Sequence, residues 1–543
     1  MKALSLLFSC VIVSIGAAEE YLRIGSEKQV FVGPWTEDGR DGYLVESMTN
    51  VAMTVNEARV TGERLLVVDK PWEGSTNKEP QFDVRQFVLK DGDTFRMYYS
   101  ALPTYPNYWE VPNGRILCYA ESTDGIHWTK PNLGLCTWDG SKENNIILPH
   151  DDLDILCSEY EGATVFIDPV AASKDEKYKM LVKMTPAPMK FYKNHRRLPK
   201  GQYAFVSADG IRWKLKSPRK VNPAASDTQL SVFWDERIAK YVAYTRMKPY
   251  YPDRKIRIRQ VGRMVSDDFV HWGKETSVLA PDKSDWEGSP PKLLRVSIYG
   301  GNISKYTESP NIYLALPSLF YHWKYDRKRT YTKRKDPSKG NEEREEPKGK
   351  VSYHVAPATM DVQLATSRDG IHWNRSPQRR PFIRLGPEGS FWSKVIFPGA
   401  DFIRVKDELW IYFGALDVSH SEERASVNGA RGRAVLRLDG FISADAAYTG
   451  GELTTKPLIF SGSKLQLNVD TSAGGVVKME IQDKDGAPIN VFTEAVADEI
   501  NGNYIRIFAR WQGSTDVSSL AGKPVRLRFV MRDAKLYSFQ FLP

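Results

Sequence analysis

Acidic residues recur at the head of strand-like apolar runs in this 543-residue chain. Asp83 precedes a run ending at Leu89, with Arg85 two residues further on. Glu159 and Glu161 precede the run at 163–167, Asp227 the run at 230–234, and Asp285 and Glu287 the run at 293–298. Carboxylates that converge on one point suit general acid–base work, one protonated and the other ionised. Cleavage of a glycosidic bond usually needs such a pair. A second set is basic and aromatic and falls in or beside the stretches between second and third strand-like runs. It includes Tyr105, Tyr108 and Trp109, then His195 and Arg197, Arg246, His322 with Trp323, and His420. Aromatic rings stack on sugar faces, while arginine forks hold carboxylate or sulfate in bidentate fashion. Phosphate loops, dinucleotide fingerprints and nucleophile elbows are missing from the sequence. No His or Cys spacing fits a metal centre.

The elements that must position these side chains are marked by a recurring phrase, Ser-x-Asp-Gly-Ile-x-Trp. It runs from Ser122 to Trp128, from Ser207 to Trp213 and from Ser367 to Trp373, with a looser copy from Ser266 to Trp272 and a faint echo from Leu438 to Phe441. Asp-Gly between β-prone residues marks a tight hairpin. Five such hairpins at intervals of tens of residues predict one β unit repeated radially, a five-bladed β-propeller of four-stranded blades. In the first blade the fourth strand is expected at Trp128. The phrases themselves read as structural: their Asp side chains satisfy turn amides, their Trp rings pack between blades, and His127, His271 and His372 belong to the turns. The segment 42–60 is expected to close or wrap the ring. Beyond Phe441 the texture changes to short alternating strands separated by Gly-rich turns, which predicts a β-sandwich. The fold class is therefore all-β, with a propeller at 19–441 and a sandwich at 442–543.

The charged, Gly- and Pro-punctuated run 334–350 is expected to be a loop within blade four. Lys2, the apolar run 3–15 and the small residues Gly16, Ala17 and Ala18 predict a signal peptide at 1–18, hence a secreted or periplasmic protein. No segment predicts a membrane span. The net charge of +9 favours anionic partners without singling out nucleic acid. Cys118, Cys136 and Cys157 are odd in number and read as buried small hydrophobes.

The repeated phrases resemble those of five-bladed glycoside hydrolases of the family 32 and family 43 type. The wider chain resembles an exported bacterial group that is family-32-like, through Lys70-Pro71-Trp72-Glu73, Asp91-Gly92-Asp93, 164–169 (TVFIDP), 317–323 (PSLFYHW) and the ending 536–541. The resemblance implies catalytic carboxylates at the starts of inner strands, around the mouth of the channel. On that basis Asp83, Glu161 and Asp227 are the catalytic candidates. Arg85, His195, Arg197, Arg246, His322, Trp323 and His420 are the candidates for holding substrate. The Asn and Pro that flank the family's nucleophile are missing around Asp83, and the family's Arg-Asp-Pro falls on Glu161-Gly162-Ala163. Glu308-Ser309-Pro310-Asn311 copies the family's acid motif only superficially, because it falls in the hairpin before a second strand. The resemblance allows a Ca²⁺ in the channel, and no other cofactor is expected. The implied activity is hydrolysis of glycosidic bonds in an anionic glycan, sulfated or uronic. A non-catalytic carbohydrate-binding propeller and a polysaccharide lyase on the same fold stand beside it.

Overall fold

The computed structural model describes residues 21–74, 82–103, 114–153, 155–188, 190, 197–221, 228–252, 256–287, 289–291, 293–323, 358–376, 378–420 and 428–543. Asp227, His195, the run 334–350 and the signal segment lie outside them. The chain divides into two compact units, one of 30–41 with 53–444, the other of 1–29 and 42–52 with 445–543.

Among the described residues the larger unit carries five antiparallel β units in a propeller-like arrangement, two of them joined in one sheet. Blade one runs Gln86–Asp91, Thr94–Ala101, Ile116–Ser122 and Ile146–Leu148, from the axis outward. Its fourth strand is thus not at Trp128; Thr129 makes only an isolated bridge to Glu121 there. Blade two is Cys157–Ile167, Tyr178–Pro186, Gly201–Ser207 and Lys214–Leu215. Blade three is Ser231–Asp235, Lys240–Met247, Gln260–Ser266 and Thr276–Leu279.

Blade four differs from the expected layout. Its three inner strands are each broken in two: Leu293–Ile298 then Ile303–Lys305, Tyr313–Ala315 then Ser318–Trp323, and Ala358–Val362 then Ala365–Ser367. The breaks fall at Gly300-Gly301, at Pro317 and around Gln363. Proline cannot donate to a ladder, and glycine weakens one. His322 and Trp323 consequently sit on a strand, not in a loop. Blade five is Val395–Pro398 with Ile403–Val405, then Glu408–Leu416 and Ala430–Arg437. A single parallel pairing of Met360 with Val395 fuses it to blade four. Its outermost strand is Arg59–Val60, which pairs with Val435 and Ala434. An early strand thus completes the last blade and closes the ring.

The recurring phrase explains how neighbouring blades are locked. In the first copy Ser122 Oγ accepts from Gly125 N at 2.9 Å, and Asp124 Oδ1 accepts from the amides of Ile126 and His127, both at 2.8 Å. Gly125 has φ +73°, a left-handed conformation that glycine adopts at no steric cost. A Cβ there would overlap the hydroxyl of Tyr412 in blade five, which donates to the Gly125 carbonyl at 2.9 Å. Tyr244 of blade three likewise donates to Gly370 O in blade four at 2.8 Å, and Tyr306 of blade four meets Asp439 in the fifth, fainter copy. The Trp rings pack across the same seams, Trp213 on Tyr98 at 6.3 Å and Trp373 on Tyr244 at 6.0 Å. His127, His271 and His372 only face the Asp of their own turns. Cys118, Cys136 and Cys157 are buried free thiols.

The smaller unit is all-β as well. Its two long strands, Lys464–Asp483 and Pro524–Leu542, pair along nearly their whole length, with a register shift between Thr471 and Val476. Phe529 and Phe539 lie on one strand, yet their rings are 5.9 Å apart. Ten residues of straight strand would separate them by roughly 33 Å. The strand therefore turns a corner near Asp533, and the sheet closes on its own core of Leu467, Val477, Phe529 and Phe541. Leu22–Gly25 pairs with Leu458–Phe460, and Val45–Thr49 with Gly451–Thr455. These pairings place 21–29 and 42–52 in the C-terminal unit and not in the propeller as expected. The change has a simple cause: their backbone groups find partners there.

Candidate active site

The heads of the first two inner strands carry a buried cluster of six charged side chains. Asp83 accepts from the Arg85 amide at 2.9 Å and from Arg85 Nη1 at 3.0 Å and 3.1 Å. Arg115, just before the third strand of blade one, brings Nε to within 2.9 Å of Asp83 Oδ2 and Nη1 onto Glu161. Lys183 of blade two reaches Glu161 and, at 3.4 Å, Glu159. Arg85 Nη2 lies 3.6 Å from Glu161. The backbone sets this convergence. Arg115 N donates to Ser158 O at 2.9 Å, and Tyr160 N donates to Arg115 O at 3.1 Å, so blade one's third strand runs beside the head of blade two. Gly162 permits the same closeness on the far side, where a Cβ would overlap the Thr228 carbonyl.

Asp83 and Glu161, both read from the sequence, are thus brought together on two shared guanidinium groups. Three carboxylates face three cations. Burial pushes the Asp83 carboxyl up, but Arg85 and Arg115 outweigh it and hold it at about 2. Burial likewise raises Glu159, and Arg115 with Lys183 bring it below its ordinary value. Asp83 is therefore an ionised carboxylate at neutral pH, fitted to act as nucleophile, base or electrostatic partner rather than proton donor. Arg85, expected to hold substrate, is buried and engaged with both acids. The Arg115 and Lys183 partners escaped sequence reading. Their one signal is a charge in or beside an otherwise apolar strand.

Residues on or beside the inner strands, among them Phe87, Thr164, Val232, Ile303 and Asp401, line an open cavity of ≈ 190 Å³. Burial pushes Asp401 up to about 7. Asp361, on the third strand of blade four, is also raised to about 7 by burial, against the pull of Arg384. Among the described residues no group of three or more His, Cys, Asp or Glu side chains could hold a metal ion. Asp285 is held by Arg375 at 2.6 Å and 2.7 Å, Glu287 by Lys283 at 2.9 Å, and Glu308 by Arg404 at 2.7 Å. Asp285 and Glu308 therefore tie distant segments together, while the exposed Glu287 pairs only within its own turn.

A second cluster occupies the heads of blades three, four and five. Arg259 stands over Tyr299 at 4.9 Å and over Phe320 at 5.4 Å. His322 packs on Phe320 at 4.1 Å and faces Arg295 Nη2 at 3.5 Å through Nδ1. His420 packs edge-on against Tyr299 at 5.0 Å and Phe320 at 5.3 Å. His322 and His420, chosen from sequence, thus meet; Arg259 and Arg295 join them unforeseen, because they lie at the start of a strand and within one. The neighbouring Trp323 instead donates to Thr359 Oγ1 at 3.1 Å. Arg246 is half-buried at the end of Lys240–Met247, and Arg197 is exposed.

No protein-family model matches the chain, and no curated protein does. Among solved structures, a glycoside hydrolase is 14% identical over 70% of this chain and 91% of its own, with a TM-score of 0.41. A β-1,2-mannobiose phosphorylase from Listeria innocua is 13% identical over 72% of this chain and 97% of its own, TM-score 0.41. A family 32 β-fructofuranosidase from Bombyx mori is 10% identical over 85% of this chain and 92% of its own, TM-score 0.36. Likeness at this level assigns neither activity nor substrate. No helix among the described residues is long and apolar enough to cross a membrane.

Proposed function

We propose that the protein is an exported glycoside hydrolase acting at the mouth of the propeller channel on an anionic glycan. The observation that carries this reading is the convergence of Asp83 and Glu161, from adjacent inner strands, on the same two arginines. In it Asp83 and the cation-held Glu161 supply the ionised carboxylates, and the proton donor to the leaving oxygen is Asp227. Water completes the cleavage and leaves a new reducing end. The anionic character of the glycan is supported by the cations gathered around His322. Part of the binding energy is then screened Coulomb attraction, and affinity falls as salt rises.

A carbohydrate-binding propeller without catalysis is the second reading. It is favoured by one fact: the Asp83 side chain is 0% exposed and fully occupied by its two arginines. Incubation with sulfated and uronic polysaccharides separates the readings. New reducing ends that vanish in at least one of Asp83→Asn, Glu161→Gln and Asp227→Asn support the hydrolase. Unsaturated ends support a lyase, and binding without cleavage supports the binding module.

A further inference from the structure

His322 is 4% exposed, yet its Nε2 has no hydrogen-bond partner among the described residues. Its other nitrogen faces the Arg295 guanidinium at 3.5 Å. A guanidinium only donates, so Nδ1 is the acceptor of that pair and the ring proton of the neutral imidazole sits on Nε2. The imidazole stays neutral because burial, then Arg295, Arg259, His420 and Lys248, hold its pKa far below the usual value, at about 2. The result is a buried N–H donor without an acceptor, in a place where the strongest charges acting on it are positive. A buried donor left unmet is costly. Gathering several cations around it adds repulsion. Both costs are relieved by one kind of occupant, a small group that is negatively charged and only accepts hydrogen bonds. Arg259 stands over the aromatic floor of Tyr299 and Phe320, which helps to hold the guanidinium in place.

We propose that the heads of blades three, four and five form an oxyanion subsite in which Arg259, Arg295 and His322 Nε2–H hold a sulfate, carboxylate or phosphate group. The inference rests on the anionic-glycan reading for its biological source and on the geometry alone for the site. The oxyanion arrives either as a substituent of the glycan or as free inorganic phosphate.

The test is calorimetric titration and thermal unfolding of the full mature protein at constant ionic strength. Sodium sulfate and sodium phosphate are compared with chloride, then a monosaccharide sulfate and a uronic acid with their neutral sugar. The subsite predicts that sulfate or phosphate binds at least tenfold more tightly than chloride. It also predicts that Arg295→Met and His322→Phe each reduce that preference at least fivefold, while His322→Gln, which keeps a donor, retains part of it. Unfolding midpoints in chloride show which variants are folded, and the comparison is made on those. Tighter binding of the sugar esters than of the free anions assigns the group to the glycan; the reverse assigns it to free phosphate. Equal binding of sulfate, phosphate and chloride overturns the proposal, as does a preference untouched by every folded variant. No turnover is needed, so failure of the hydrolase reading leaves this result intact and distinguishable.

Discussion

Two charged clusters lie at strand ends of the propeller unit, and they are built on opposite principles. At blades one and two, Asp83, Glu159 and Glu161 are matched by Arg85, Arg115 and Lys183. At blades three to five, Arg259, His322 and His420 crowd onto the rings of Tyr299 and Phe320, and Arg295 faces His322, whose pKa Arg295, Arg259 and Lys248 lower. The first arrangement is complete without a ligand. The second is not. Buried charge by itself therefore says little; what separates a tie from a site is whether the partners already present satisfy it.

Removing one cation from each cluster should break this comparison if it is wrong. Arg115→Met takes from Asp83 and Glu161 the nearer of their two shared partners, leaving Arg85, and is expected to cost about 3–5 kcal/mol in denaturant unfolding. A loss below about 1 kcal/mol would mean that the cluster is wet and loosely paired. Arg295→Met, in contrast, relieves repulsion as it removes a donor, and is expected to change stability by no more than about 1 kcal/mol.

Acid titration sharpens the same contrast with a smaller effect. Asp83 has a folded pKa of about 2, below the roughly 3.9 of an unfolded Asp. Its stabilisation is thus present above pH ~4 and is lost as pH falls through about 2. The stability difference between the wild type and Asp83→Asn should shrink across that window. Asp401 has the opposite sign. Its folded pKa of about 7 lies above the unfolded value, so stability falls as pH rises from ~4 to ~7. Asp401→Asn should flatten that slope, and an unchanged profile would place the carboxyl in contact with water.

The propeller was legible in the sequence because its signal is local. Ser, Asp and Gly of each phrase bond to one another within a few residues, and the spacing of the phrases is the spacing of the blades. The fourth strand of blade one was misplaced at Trp128 because 20 or so residues intervene before Ile146–Leu148, with no periodic pattern to announce it. The split strands of blade four were missed, although Pro317 and Gly300-Gly301 mark two of the breaks. Of the site, the acids could be read from their place before inner strands. Their partners could not: Arg115 lies 32 residues from Asp83 and 46 from Glu161 and meets the latter only through the register of two blades, while Lys183 lies 22 residues from Glu161 and meets it across a strand pair. Arg259 and Arg295 were invisible for the same reason, since strand positions near the ends of blades show no loop composition.

The central claim is that the paired carboxylates form a reaction centre and not merely a clasp between two blades. Reducing-end release from a panel of sulfated and uronic polysaccharides, measured for the wild type and for folded Glu161→Gln, tests it most directly. The account expects one anionic polysaccharide to be cleaved and turnover to fall 10²-fold or more in the variant, the usual scale for loss of a positioned acid or base. Cleavage at the same rate by wild type and Glu161→Gln would contradict it.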